Sequence, residues 1–191
     1  MSCLKDRCGK DEYYMQLALA EAEKAFSQGE FPVGCVIIFN DTVVASGSRV
    51  GTASSNKYPS EIYHAEIRAL QNFENIAANK TESNIVPAKC TIYCTMEPCL
   101  MCFGAIILSG IKQVVYSFED PMGGGTSCDL SKLPILYRKS GIKVVSHILR
   151  DKSLKLFADF FSKKDNLYWK ESLLERYTLE QAKNLKNVVI K

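Results

Sequence analysis

The chain has 191 residues, 47% apolar and 24% charged, the mix of a globular protein with room for one sizeable core and hardly for two. No apolar run approaches the ~20 residues of a membrane span, so no membrane partner is expected. The net charge of +3 comes wholly from the last 29 residues, since residues 1–162 carry 17 basic and 17 acidic side chains. The opening Met1–Arg7 leads into charged sequence without a hydrophobic signal region, and a cytoplasmic setting is expected, where thiols stay reduced. The eight cysteines then read as ligands or core residues, with no disulfide framework implied.

Residues 11–28 place Tyr14, Leu17, Ala18, Ala22, Ala25 and Phe26 at near-helical spacing, and Gly29 stops that helix. Val33–Phe39 and Thr42–Ala45 are β-branched and apolar, with Asn40-Asp41 suited to a tight hairpin turn between them. Residues 48–60, rich in Ser, Gly, Asn and Thr, read as a loop. A helix is expected from His64 to about Ala78, with Ala65, Leu70 and Phe73 toward the core, then a polar connection over 79–89. Cys90–Thr95 reads as a strand, and Pro98 as the start of a very apolar helix over Leu100–Leu108. Gln113–Ser117 is a fourth strand, and Gly123-Gly124-Gly125 makes 119–128 a flexible loop, a mobile flap near any site beside it. Lys143–Ser146 is a fifth strand. Leu149–Phe161 is an amphipathic helix with Leu154, Phe157, Ala158 and Phe161 on one face, and a last helix spans Leu167–Leu185. Strands alternating with helices after an opening hairpin imply an α/β fold with a mixed sheet.

Three side chains stand out as metal donors. His64 opens a helix, and Cys99 and Cys102 lie three apart at the start of another, where both sulfurs share one face and the helix end favours thiolate. Three donors leave a fourth tetrahedral position of Zn2+ open, as catalysis requires. Glu66, two residues after His64, is an acid that need not bind the metal and is placed to carry protons. A closed structural zinc would need a fourth ligand from Cys35, Cys90, Cys94 or Cys128, and a buried pair without metal is the other bland reading. Cys35, Cys90 and Cys94 sit in apolar strands and read as core. His147 reads as incidental. The aromatics Phe157, Phe160, Phe161, Tyr168 and Trp169 suit core or interface, or base stacking. Between Lys132 and Lys155 seven basic residues face Asp151 alone, a patch that could meet phosphates or be a plain solvated surface.

The spacing H-x-E followed by P-C-x-x-C is that of zinc-dependent nucleobase deaminases. The chain resembles the cytidine-deaminase-like superfamily, and within it the tRNA-specific adenosine deaminases, over residues 11–162. The resemblance rests on Phe31-Pro32-Val33-Gly34-Cys35-Val36, on His64–Leu70, and on Thr91–Cys102 continuing through Gly104-Ala105-Ile106. It implies a three-layer α/β/α sandwich around a five-stranded mixed sheet for a deaminase domain over 1–162, whereas residues 163–191 have no counterpart in the family and read as a C-terminal helical extension packed on that domain. It also implies Zn2+ on His64, Cys99 and Cys102, with Glu66 as catalytic proton shuttle. Ala65, Pro98 and Arg49 would contact substrate, and a homodimer would help build an RNA site. The family usually carries Gly-x-Asn after the second strand, whereas this chain has Gly47-Ser48-Arg49, and its loop from there to His64 is longer.

The resemblance thus implies a hydrolytic deaminase of adenosine in tRNA, with no DNA partner expected. A second reading is the same chemistry on a small molecule, namely cytosine, guanine, a nucleoside or deoxycytidylate, where Arg49 would suit a phosphate. A third is a zinc-bound RNA-binding subunit without catalysis, against which the intact Glu66 argues.

Overall fold

The computed structural model describes residues 2–53, 57, 59–78 and 84–189. Among these run α1 (Ser2–Ser27), β1 (Gly34–Phe39), β2 (Thr42–Ser48), α2 (Ala65–Ala78), β3 (Thr91–Met96), α3 (Leu100–Leu108), β4 (Gln113–Phe118), α4 (Ile135–Arg138), β5 (Lys143–Val145), α5 (Arg150–Phe161) and α6 (Leu173–Val189). Parts of the loop expected over 48–60 and of the connection over 79–89 lie outside the described residues.

The strands form one sheet in the order β2-β1-β3-β4-β5. β1 runs antiparallel to β2 and β3, while β3, β4 and β5 are parallel, so the sheet is mixed as expected. The hairpin turn forms at Asn40 and Asp41, whose φ values of 48° and 61° are the left-handed pair that a two-residue turn between twisted strands requires. Lys10 Nζ and Tyr14 OH donate to the Asp41 carboxylate at 2.9 and 3.0 Å, fastening the turn to α1. β2 runs three residues past its expected end at Ala45, because Ser46-Gly47-Ser48 pair with Val36-Cys35-Gly34.

Two glycines explain how the helices seat. A Cβ on Gly34 would stand 2.2 Å from the Ala18 carbonyl oxygen of α1, and one on Gly47 would stand 2.2 Å from the Ala65 oxygen of α2. Gly34 pairs with Ser48, the neighbour of Gly47, so the two glycines face opposite sides of the sheet. On one side, Tyr14, Met15 and Ala18 of α1 bury Val36, Ile38, Tyr93 and Val115. On the other, Ala65, Ala69 and Phe73 of α2, with Phe103 and Ile106 of α3, cover Cys35, Ile37, Ile92 and Cys94. α5 lies beside α1, which completes the α/β/α layering.

α5 is anchored by Leu154, Phe157, Phe160 and Phe161, all buried. Each such burial is worth about 1.5–3 kcal/mol. An exposed i,i+4 pair such as Lys155–Asp159 contributes about 0.3–0.5 kcal/mol, so the apolar face fixes the helix. α6 begins six residues later than the expected Leu167. Trp169 and Glu171 have φ of 52° and 64°, which no helix accommodates, and the Ser172 hydroxyl then accepts the Glu175 N–H at 3.1 Å as a cap.

Glu119, just past β4, ties β4, α5 and α6 together. It accepts from Arg150 Nε at 2.8 Å and from Tyr177 OH at 2.7 Å, and His147 Nε2 lies 3.4 Å away. Burial alone would push its carboxyl up, but the hydrogen bonds from Arg150 and Tyr177 outweigh burial and hold it at about 2. Its folded value thus lies below the ~4.3 of an unfolded glutamate. The stabilisation is therefore complete above that value and is lost as pH falls toward 2. After screening of the part-exposed pair it is about 1–2 kcal/mol. Glu119→Gln is expected to cost that much at pH 7 and about half as much at pH 3. Urea titrations at the two pH values check this, and an equal cost at both would refute it.

Candidate metal centre and active site

The site lies where the carboxyl ends of β3 and β4 meet the start of β1 and the end of β2, the position at which α/β sheets bind ligands. β3 delivers the chain into Glu97-Pro98-Cys99. Cys99 caps α3, its carbonyl accepting Phe103 N–H at 2.8 Å, and Cys102 sits in the first turn. Pro98 was expected at the first helical position; it stands one residue before the cap instead, and its carbonyl accepts Gly125 N–H at 2.9 Å. His64 precedes α2, its carbonyl accepting Arg68 N–H at 3.0 Å. Arg68 Nη1 donates to the Ser48 carbonyl at 2.8 Å, and with the absent Cβ of Gly47 this sets α2 close on β2.

The three donors converge. Cys102 Sγ and Cys99 Sγ stand 3.4 and 3.7 Å from His64 Nδ1, and all three donor atoms lie within 4.8 Å of one another. A tetrahedral zinc with its usual bond lengths separates a sulfur from a nitrogen ligand by about 3.5 Å, which the two sulfur–nitrogen distances here match. The Cys99 and Cys102 side chains hydrogen-bond one another. That bond, helped by His64 and opposed by burial, holds Cys99 down at about 4 and pushes Cys102 up. Cys35 and Cys94 face each other across β1 and β3 at 3.7 Å inside the core, and Cys90 Sγ donates to the Val86 carbonyl, so these three are core residues as expected.

Glu66 is buried, at 3% exposure, and its Oε2 has no hydrogen-bond partner among the described residues. Burial pushes its carboxyl up. An orphaned buried oxygen is costly unless something occupies the space before it. Glu66, His64, Ala65 and Cys99 line a cavity of about 320 Å³, large enough for one planar heterocycle. Arg49 also lines it, yet is only 2% exposed: its Nη2 donates to the Ser60 carbonyl at 2.9 Å, Glu61 Oε2 at 3.1 Å and Tyr168 OH at 3.4 Å. Pro98 is buried and stands outside that lining.

The Gly-rich loop departs from the mobile flap that its composition suggested. The buried Glu97 carboxylate accepts the backbone N–H of Asp120 at 3.1 Å and of Thr126 at 3.2 Å, and the Thr126 hydroxyl as well. A Cβ on Gly124 would lie 2.4 Å from Glu97 Oε2, so glycine is needed there for a tight clasp rather than for mobility. Glu97 was overlooked because it reads only as context for Cys99. Asp120 and Met96, likewise overlooked, line the cavity.

A three-donor group with a buried acid beside it, at this end of such a sheet, defines a zinc-dependent hydrolytic deaminase. The chain belongs to the family of the cytidine and deoxycytidylate deaminase zinc-binding region, which matches residues 9–118. It is similar to the tRNA-specific adenosine deaminase of Buchnera aphidicola subsp. Schizaphis graminum, with 32% identity over 83% of this chain and 98% of the relative. It is similar also to the enzyme of that name from Bacillus subtilis, with 31% identity over 80% of this chain and 89% of the relative. Among solved structures it resembles one from a study of A-to-I editing by tRNA:A34 deaminases at the wobble position. The TM-score is 0.61 at 27% identity, covering 75% of this chain and 98% of that one. A protein in complex with 2,6-diaminopurine shares the fold, with a TM-score of 0.65 at 22% identity over 83% of this chain and 85% of that one.

Proposed function

We propose that this enzyme deaminates adenosine to inosine in tRNA, with His64, Cys99 and Cys102 holding zinc and Glu66 moving the protons. The observation that carries the reading is Glu66 Oε2, without a partner among the described residues and buried beside the three donors at a base-sized cavity. The relatives' names support the substrate. A zinc ion in this group supplies an activated water at neutral pH. Glu66 takes a proton from the attacking water and gives it to the ring nitrogen beside the attacked carbon. It then passes the second proton to the departing amine. Adenosine and water thus become inosine and ammonia, with the carboxylate restored. The Ala65 N–H, at the first turn of α2, and the Arg49 side chain would orient the base.

The extension over 163–191 belongs, in this reading, to the same folded unit as residues 1–162, which is supported by the burial of Leu174 and Thr178 in the common core. Arg138, Lys139, Lys143 and Lys152 are exposed and could meet phosphates, whereas Lys132, Arg150 and Lys155 pair with Asp129, Glu119 and Asp159. A second copy of the chain is supported by the apolar strip that α3 exposes at Leu100, Met101 and Leu108. Sedimentation velocity at micromolar concentration is expected to show a dimer, and a monomer would refute it. No described helix is long and apolar enough to cross a membrane. A cytoplasmic enzyme acting on tRNA is the corresponding proposal for location.

One observation favours a second reading, a free base or nucleotide as substrate: a buried Arg49 stands where the family's editors carry an amide. The test offers purified protein a tRNA pool, then free bases, nucleosides and nucleotides, and seeks inosine, uracil or xanthine products by mass spectrometry. Product from tRNA alone upholds the first reading, and product from one free compound alone upholds the second.

A further inference from the structure

The aromatic residues near the chain end separate into two groups. Phe157, Phe160 and Phe161 pack around Phe31 at ring distances of 5.3, 5.3 and 5.7 Å and are core. Tyr168 also packs on Phe31, at 5.4 Å, but turns its hydroxyl outward, donating to Glu61 Oε2 at 3.0 Å and meeting Arg49 Nη2 at 3.4 Å. Trp169 leaves the core. It is 43% exposed, stands edge-on to Tyr168 at 5.8 Å, and lines the same cavity as the metal donors.

The backbone holds this arrangement. Asn166 Oδ1 accepts Tyr168 N–H at 3.1 Å, its Nδ2 donates to the Tyr168 carbonyl at 3.2 Å, and left-handed φ at Trp169 and Glu171 postpones α6 to Leu173. The turn so formed sets Tyr168, Trp169 and Leu174 on the cavity with Arg49 and Glu61, whereas His64, Glu66 and Cys99 come from the sequence motif. A large apolar ring left half-exposed on the lining of a base-sized cavity lacks a core role. Its flat face suits the π-face that every nucleobase presents. Arg49 is a buried cation whose only carboxylate neighbour among the described residues, Glu61, is itself 66% exposed, so Tyr168 bridges the pair and limits their freedom.

We propose that residues 166–174 form a substrate-facing wall of this pocket, with Trp169 stacking on the bound base and Tyr168 as the positioning residue that fixes Arg49 and Glu61. This rests on the deaminase reading of the site and adds to it a base-binding element outside the matched region of the family.

The chain contains one tryptophan, so its fluorescence reports on Trp169 alone. Full-length, zinc-loaded Glu66→Gln protein would be titrated with a stem-loop RNA bearing adenosine in its loop, then with adenosine, guanine, cytosine and deoxycytidylate. Whichever probe the wild type turns over is expected to quench Trp169. Trp169→Ala should raise KM for that probe roughly 5- to 150-fold, with kcat, zinc content and Tm far less affected, and Trp169→Phe should restore most of the loss. Tyr168→Phe, which keeps the ring on Phe31, should raise KM by a smaller factor at unchanged Tm, whereas a merely structural role would lower Tm and leave KM alone. A turned-over probe that leaves the fluorescence unchanged, or a wild-type KM in Trp169→Ala, overturns the wall while leaving the deaminase reading intact. If no probe is turned over, the substrate reading falls. The wall is then judged by quenching alone: a probe that binds in equilibrium dialysis without quenching overturns it, and so does failure of every probe to bind at millimolar concentration.

Discussion

Glu66→Gln is expected to keep the fold and a full complement of zinc while losing turnover by about 10²–10⁴-fold or more. The carboxylate is almost wholly enclosed, and its Oε2 makes no hydrogen bond among the described residues. An amide of the same shape fills the same space and removes a charge whose burial is itself costly, so Tm should stay level or rise. What the amide cannot do is accept a proton and return it, so the loss should fall on kcat, with KM changed little. Zinc by mass spectrometry, a thermal melt and product formation from the preferred substrate check the three parts. Turnover retained within a few-fold of wild type would remove Glu66 from the proton path. A collapsed melt would mean that the carboxylate serves the structure.

Why the convergence of His64, Cys99 and Cys102 could be read from spacing while the clasp around Glu97 could not is a question of range. His64, Glu66, Cys99 and Cys102 are fixed by spacings within two helix starts, and helix geometry converts such spacing into direction. The Asn40-Asp41 turn was legible for the same reason, since a two-residue hairpin needs left-handed backbone and few residues accept it. Ser46-Gly47-Ser48 looked like the edge of a loop because serine and glycine are poor strand formers. They are strand because they pair with Val36-Cys35-Gly34, and α2 approaches Gly47 so closely that only glycine fits there; neither the pairing nor the approach leaves a local trace. The triple glycine misled in the same way: its freedom serves contact with Glu97, over twenty residues distant in sequence. The late start of α6 followed from Asn166 and Ser172 competing with the helix for backbone groups, an outcome that periodicity alone does not register. Arg49 was visible as a departure from the family, but its burial under Glu61 and Tyr168 depended on a contact spanning 119 residues.

Cys102→Ala is expected to abolish stoichiometric zinc binding and to lower Tm to that of the chelated wild type. Cys102 is fully buried in the first turn of α3, and its sulfur is the nearer of the two to His64 Nδ1. Removing it leaves two donors where a catalytic zinc needs three. The remaining framework, β3, α3 and α2 packed through Phe103, Ile106 and Ala69, does not depend on the metal for its core. The variant should therefore fold, unlike a zinc finger without its ion. The size of the effect follows from linkage: a ligand present at a thousand times its Kd adds about 4 kcal/mol to the folded state. A chelator should thus lower the wild-type Tm by several degrees or more and leave Cys102→Ala unmoved. Cys99→Ala and His64→Ala should behave alike. Cys35→Ala is the control that separates this group from the other thiols. Cys35 touches Cys94 within the core, and among the described residues only His64, Cys99 and Cys102 are placed to share an ion. Cys35→Ala should lose some stability to the cavity it opens, yet keep both its zinc and its sensitivity to chelator. Zinc retained at one per chain in Cys102→Ala and Cys99→Ala, or lost in Cys35→Ala, would move the metal to a different set of donors and with it the reaction centre.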